Sequence, residues 1–234
     1  MSANDLVACI ATFETKPKPH YQRIIRQLRG RGLLENLETC KIQEADAWIR
    51  DHYRFIIHRE ERPTLEWLLN QAEIVISRDG AKILQIDPWN RMEATKEAKE
   101  NDTDYIGRCL RVLYAFANDY KVHVQVLAHP SKMDGHRRGM MPTLEDIANS
   151  KHWENMCDQG FVVHRPKLFD DQGNRVTYAE LHHLKARFDA LGFPAKFGLD
   201  FDPDQGRYGT CPLLQRKKKS AKQEAQQPQP EDYE

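Results

Sequence analysis

None of the five cysteines, Cys9, Cys40, Cys109, Cys157 and Cys211, stands in a C-x-x-C pair, so neither a zinc site nor a disulfide framework is indicated and a reducing compartment fits. No apolar run approaches the roughly 18 residues that a membrane span requires, and the N-terminus lacks a signal-peptide pattern, so a cytoplasmic protein with no membrane partner is expected. Net charge is absent as well. The 35 Lys and Arg balance 35 Asp and Glu, so no global field draws the chain to a polyanion, and any contact with nucleic acid has to come from local patches. A serine or cysteine nucleophile elbow is also missing, which disfavours an unrelated α/β hydrolase built on Asp87 and His129. What is present, 234 residues at 40% hydrophobic and 30% charged, suits one large domain or two small ones and is too apolar for disorder.

Short apolar runs alternate with helical patterns. "LVACIATF" (6–13) reads as a fully buried strand that ends on Glu14. "PHYQRIIRQLRG" looks helical and stops at Gly30, and "QEADAWIRDHYRF" (43–55) is a second helical pattern running into "FIIH". In "TLEWLLNQAEIVISRDG", Thr64 is the expected N-cap; Leu65, Leu68, Leu69, Ala72 and Ile76 line one face, and Gly80 is the stop. "KILQID" follows as a strand that ends on Asp87. A helix with Ile106, Leu110, Leu113 and Ala117 on one face then leads to "VHVQVLAH", which ends on His129.

Apolar strands joined by helices imply a parallel sheet covered on both faces, and in such sheets a ligand lies beyond the carboxyl ends of the strands. Any one acid there is as readily a cap or a surface residue, but Glu14, Asp87 and His129 in succession point to a shared crevice. Carboxylates in that place suit holding magnesium through its water shell and polarising an attacking water. The second half reads differently. "GFVVHR" (160–165), "VTYAELHHLKARF" (176–188) and "AKFGLDFD" (195–202) are strands with short connections, the first of them holding the turn-forming Asp-Gln-Gly-Asn, and predict antiparallel strands added at the sheet's edge. Residues 213–234, Gln-, Pro- and Lys-rich, are expected to be a disordered charged tail; its basic run is a solvated segment or a weak phosphate contact.

The order Glu14, "ILQIDPWN", "VHVQVLAHPSK", "PTLEDIANSKHWENMCDQGFVVHR" and "LHHLKARF" resembles the RecA-like motor domain of DnaB-type ring helicases, in particular the phage primase-helicase and Twinkle branch, over about residues 6–208. The resemblance implies a three-layer α/β/α sandwich. It also implies an ATP-dependent replicative DNA helicase that uses Mg2+ with ATP or another NTP, binds single-stranded DNA and assembles as a homo-oligomeric ring, a hexamer being expected. By the same resemblance Glu14 activates the hydrolytic water, Asp87 holds the magnesium water shell, and His129 is the polar sensor filled by Gln in the DnaB branch. Lys185 and Arg187 reach a neighbouring subunit's phosphates, with Arg187 as the arginine finger. Arg165 and Phe201 align with residues around the nucleotide base, although Phe201 also fits ordinary strand packing. Lys132, Arg137 and Arg138 fall in a loop facing the central channel, where they would bind single-strand phosphates without reading sequence.

One element of the family is missing from the sequence. No G-x-x-x-x-G-K-[ST] loop occurs; "RGRGLLE" and "SRDGAK" have neither its spacing nor its ending. Residues 1–212 are therefore expected to be a partial motor domain without the phosphate-loop strand and helix. Such a chain is either a fragment of a longer or split helicase or a degenerate relative. The alternative function is a non-catalytic nucleic-acid-binding module, or one that associates with complete helicase subunits.

Overall fold

The computed structural model describes residues 6–58, 62–131, 140–147 and 150–213. β1 (Ala8–Thr12), β2 (Tyr53–Ile56), β3 (Ile83–Asp87) and β4 (His123–Val126) form a parallel sheet in the order β2-β1-β3-β4. Parallel neighbours require long crossovers. Those crossovers are α1 (Arg23–Gly30) with α2 (Thr39–His52), then α3 (Leu65–Asp79), then α4 (Asp102–Tyr120). The winding reverses at the centre: β1 connects outward to β2, whereas β3 connects the opposite way to β4. A crevice must open at the carboxyl ends of β1 and β3, because their loops diverge there.

Alternation within each strand sets what lies on each face. Cys9 and Ala11 of β1 and Leu84 and Ile86 of β3 are buried in one core with Leu68, Ala72 and Val75 of α3 and Ile106, Cys109 and Leu113 of α4. Gln85 falls on the opposite face, where its Nε2 donates to the Tyr21 hydroxyl at 3.2 Å. α3 has the ends the sequence calls for. Thr64 Oγ1 accepts from the Trp67 amide at 3.1 Å, and Gly80 closes the helix in the left-handed region at φ 69°. Leu65, Leu68, Ala72 and Val75 are its buried stripe, with Leu69 and Ile76 partly buried beside them.

The first helix departs from expectation. It begins with a π-helical segment, Pro17–Gln22, and Gly30 is its last helical residue rather than its stop; Arg31 takes the left-handed conformation at φ 56°. Gly30 serves another purpose, letting Leu37 pack closely: a Cβ there would lie 2.6 Å from Leu37 Cδ1, and that side chain would have to shift.

After α5 (His152–Met156), strands β5 (Gln159–His164), β6 (Tyr178–Ala186), β7 (Ala195–Asp202) and β8 (Arg207–Cys211) form an antiparallel sheet in chain order. The Asp-Gln-Gly-Asn turn forms as read: Asp170 Oδ1 accepts from the amides of Gln172 and Asn174, both at 2.8 Å, and Gly173 has φ 84°. β8 was not legible in the sequence. The antiparallel strands are also not hydrogen-bonded onto β4, as the edge-addition expectation had it; among the described residues they make a separate ladder. The chain leaving β4 is instead engaged beyond the strand, where Pro130 bridges Ile147 and the Ser131 amide donates to the Asp146 carbonyl at 2.7 Å. No helix among the described residues is long and apolar enough to cross a membrane. The tail expected to be disordered lies, from residue 214 onward, outside the described residues, as do Lys132, Arg137 and Arg138.

The Thr64 cap yields a direct test: Thr64→Ala should cost about 1 kcal/mol of unfolding free energy, read by urea denaturation, because one amide of the first turn of α3 loses its acceptor.

Candidate functional site

Backbone pairing carries the chain past each strand end to the same level. Thr12 is in register with Asp87, and the Phe13 amide donates to the Asp87 carbonyl at 2.9 Å, so Glu14 emerges one residue beyond the last pairing. On the other side the Leu127 amide donates to Ile86 O at 2.9 Å and the Trp89 amide to Leu127 O at 2.8 Å, which leaves His129 two residues beyond. Glu14, Asp87 and His129 therefore converge, as the sequence reading expected.

The segment after β3 explains why Asp-Pro-Trp-Asn follows the strand. Asp87 stays at the crevice. Trp89 turns into the core and meets Trp153 edge-on, with ring centroids 5.4 Å apart. Asn90 grips the backbone of His129 on both sides, accepting from its amide at 2.6 Å and donating to its carbonyl at 3.4 Å. The His129 backbone is thereby fixed while its side chain remains two-thirds exposed.

Around the acids, Arg91 Nε lies 3.1 Å from Glu14 Oε2, and His129 Nε2 lies 3.9 Å from the same oxygen, an ion pair only when the imidazole is protonated. The Tyr21 hydroxyl donates to Asp87 Oδ2. Burial pushes the Asp87 carboxyl above the usual carboxylate range, the charge of Glu14 pushes it further, and His129 opposes the shift. Two acids thus face one open crevice, and the more buried one is held at an electrostatic cost that a cation would relieve. Among the described residues no group of three or more His, Cys, Asp or Glu side chains is placed to hold a metal ion. Cysteine chemistry does not compete: burial, then the charge of Asp79, pushes the Cys9 thiol up to about 12. Arg91 and Tyr21 were not singled out from the sequence, and Asn90 only as part of "ILQIDPWN" with no role of its own, since each acts on a residue far along the chain or through a backbone group and leaves no periodic signal.

The remaining candidates form two other groups. Arg165 donates to the Tyr208 hydroxyl, and Tyr208 packs on Phe201 with centroids 5.1 Å apart, so β5, β7 and β8 bring the two expected base-side residues to one tyrosine the sequence reading missed. Lys185 and Arg187 lie together at the end of β6. Lys185 Nζ donates to the carbonyls of Glu154 and Asn155; Arg187 donates to those of Asn155 and Met156 at 2.9 and 3.1 Å and pairs with Asp158 at 2.9 Å. Cations on the last carbonyls of α5 match the negative end of a helix.

A family model, the DnaB-like helicase C terminal domain, matches residues 3–208. Among curated proteins the chain is similar to a chloroplastic/mitochondrial Twinkle homolog protein of Arabidopsis thaliana, 24% identical over 213 residues, covering 87% of this chain and 30% of the relative. A probable plasmid replicative DNA helicase of Chlamydia trachomatis is 24% identical over 183 residues, covering 75% of this chain and 39% of the relative. The chain thus spans 30–39% of the length of these relatives. Among solved structures, an ATPase domain superposes with TM-score 0.67 at 20% identity, over 87% of this chain and 74% of that one. A DnaB-like replicative helicase, solved in a study of its interactions with primase, superposes with TM-score 0.68 at 20% identity, over 89% of this chain and 51% of that one. The parallel sheet under helices and the antiparallel sheet beside it are the RecA-like fold of those two structures. With its acids at the reversal of the sheet and the family model matching nearly the whole described chain, this protein belongs to the DnaB-like helicase C-terminal domain family.

Proposed function

We propose that this chain supplies the catalytic crevice of an ATP-driven motor that moves along single-stranded DNA within a ring-shaped replicative helicase, expected to be a hexamer. The convergence of Glu14, Asp87 and His129 at the reversal point of the sheet carries the reading. Glu14, half exposed and steered by Arg91, is the carboxylate that takes the proton of the attacking water. Asp87 is the acid facing magnesium. With no group of three or more His, Cys, Asp or Glu placed around an ion among the described residues, the ion would be held chiefly by water and nucleotide oxygens, which suits its reluctance to dehydrate. Magnesium bound with a nucleotide supplies charge neutralisation at the phosphate oxygens. His129, clamped at its backbone and free at its ring, is the residue poised to read the γ-phosphate.

Arg187 and Lys185 are assigned to the neighbouring subunit's phosphates. A planar, permanently charged guanidinium clamps charge developing on the phosphoryl oxygens. Engaging a neighbour requires them to exchange the α5 carbonyls they hold in this chain. Arg165, Tyr208 and Phe201 are assigned to the base, and Lys132, Arg137 and Arg138 to the DNA backbone. The sequence has no phosphate-cradling loop, so residues 1–234 alone should hydrolyse ATP no faster than background.

The decisive experiment joins the chain to a phosphate-loop segment and measures DNA-stimulated ATP hydrolysis. Turnover is expected to appear, to vanish in Glu14→Gln, and to fall about a thousandfold or more in Arg187→Ala with nucleotide binding largely retained. Mixing the two variants should restore part of the activity, since some interfaces then pair an intact Glu14 with an intact Arg187. Full activity as a monomer, or an Arg187→Ala variant with undiminished turnover, would overturn the ring assignment.

Asp87 offers a test that needs no nucleotide. A carboxyl raised in the folded state costs stability once pH exceeds its unfolded value, and the whole cost is present above its raised folded value. Asp87→Asn should therefore raise the thermal midpoint at neutral pH, and the gain should disappear as pH falls below the ordinary carboxylate range. A lower midpoint at pH 7 would mean that the Tyr21 bond to Asp87 outweighs burial and the repulsion from Glu14.

The DNA assignment is tested by salt. Replacing Lys132, Arg137 and Arg138 together with Ala should flatten the dependence of single-strand affinity on log salt concentration, by up to roughly two units of slope for three lost phosphate contacts. An unchanged slope would move the contact elsewhere, with the 216–219 basic run the next candidate.

A further inference from the structure

The stretch of chain that carries Glu14 leaves Asp87 and returns to it. At its start the Phe13 amide donates to the Asp87 carbonyl at 2.9 Å, and at its end the Tyr21 hydroxyl donates to Asp87 Oδ2. Between these points the Thr12 hydroxyl donates to the Thr15 carbonyl, and the chain enters the π-helical segment Pro17–Gln22, a form of backbone found frequently at functional sites. Little else fastens that segment. None of its residues is buried, and the His20 amide reaches the Lys16 carbonyl only at 3.3 Å.

The hydroxyl of Tyr21 has one hydrogen, and an ionised carboxylate can only accept, so that hydrogen is committed to Asp87. Gln85 supplies the complementary donor. It lies two residues before Asp87, on the same face of β3, and its Nε2 donates to the phenolic oxygen at 3.2 Å. Gln85, Tyr21 and Asp87 therefore form a chain of bonds that runs in one direction, each bond polarising the next. The ring has a separate part, lying against Phe55 of β2 with centroids 6.0 Å apart and planes at 54°. A phenylalanine would make that contact equally well, so packing does not explain the hydroxyl.

We infer that Tyr21 is a positioning residue: its hydroxyl holds the Asp87 carboxylate in one orientation and closes the loop that presents Glu14, so that the two acids keep their spacing before a nucleotide arrives. The last torsion of an aspartate is soft, and without a partner the carboxylate of Asp87 would turn freely about it. A neutral donor suits the task. An arginine in the same place would cancel the charge that a cation needs, whereas a phenol orients the carboxylate and leaves its charge in being. Tyr21 acts through Asp87 and Glu14 and takes no proton of its own. That the cation served is magnesium rests on the functional reading above; the tether from Tyr21 to Asp87 does not.

The test is Tyr21→Phe in residues 1–234, which keeps the ring and removes only the hydroxyl. Amide hydrogen exchange at His20 and Arg23, whose amides bond to Lys16 O and His20 O, should quicken about tenfold or more, as expected for one lost bond to a charged acceptor, while exchange in β1, β3 and α3 stays as it was. In an Asp87→Ala background the same substitution should change nothing, because the acceptor is already gone; a Tyr21 that served packing alone would act alike in both backgrounds. A second measurement needs no nucleotide. With Mn2+ as the probe, read by paramagnetic broadening of the Glu14 and Asp87 amide resonances, Tyr21→Phe should require several-fold more metal for the same broadening. Unaltered exchange at His20 and Arg23, or equal effects in the two backgrounds, overturns the inference. So does tighter Mn2+ binding by Tyr21→Phe, which would make the hydroxyl a competitor of the ion rather than a guide for the acid. A wild-type chain without broadening at Asp87 would instead sink the assignment of Asp87 to magnesium, and the exchange data would still decide the tether.

Discussion

The in-register parallel pair of β1 and β3 is the constraint on which the site depends. Thr12 opposite Asp87 brings both chains out of the sheet at one level, and the opposite sense of their connections keeps the two loops from filling the gap. A one-residue slip would turn Cys9 and Ala11, or Leu84 and Ile86, out of the helix-covered core, so burial enforces the register that function uses. Position at the crevice is thus a by-product of packing two buried strands correctly.

Asp87 shows what the crevice costs. A half-buried carboxylate next to another acid is an unfavourable arrangement for an isolated chain, and it is tolerated because Trp89 and Asn90, within three residues of it, tie the same turn to the core and to His129. Asp87, Trp89 and Asn90 therefore divide chemistry, core and clamp among themselves. Lys185 and Arg187 follow a different logic: their charges rest on backbone carbonyls at the end of α5, a place from which a competing set of phosphate oxygens can displace them.

The second sheet carries chemistry of its own that burial keeps in order. Glu180 on β6 is almost fully buried, yet it accepts from Tyr178 at 3.1 Å and pairs with His182 at 2.8 Å and Lys196 at 3.1 Å. A buried carboxylate with three donors tolerates its desolvation and ties β6 to β7, which keeps the strand bearing Lys185 and Arg187 in place.

Local periodicity and end chemistry were readable directly. The stripe of α3, its Thr64 cap and Gly80 stop, the buried strands ending at Glu14 and Asp87 and the Asp170–Asn174 turn all arise from interactions within a few residues, and the pattern of side chains encodes them. Other features depend on residues distant in the chain. Gly30 sits against Leu37, the acids' partners are Tyr21 and Arg91, Arg165 and Phe201 meet through Tyr208 on an unforeseen strand, and the antiparallel strands form a ladder of their own rather than extending the sheet from β4. The sequence by itself determined which segments are strands and helices and which polar residues close them, because those choices are settled by near neighbours. Which loops meet, which acid is buried beside which, and which strands pair with which were decided only by tertiary packing, where groups tens of residues apart compete for the same space.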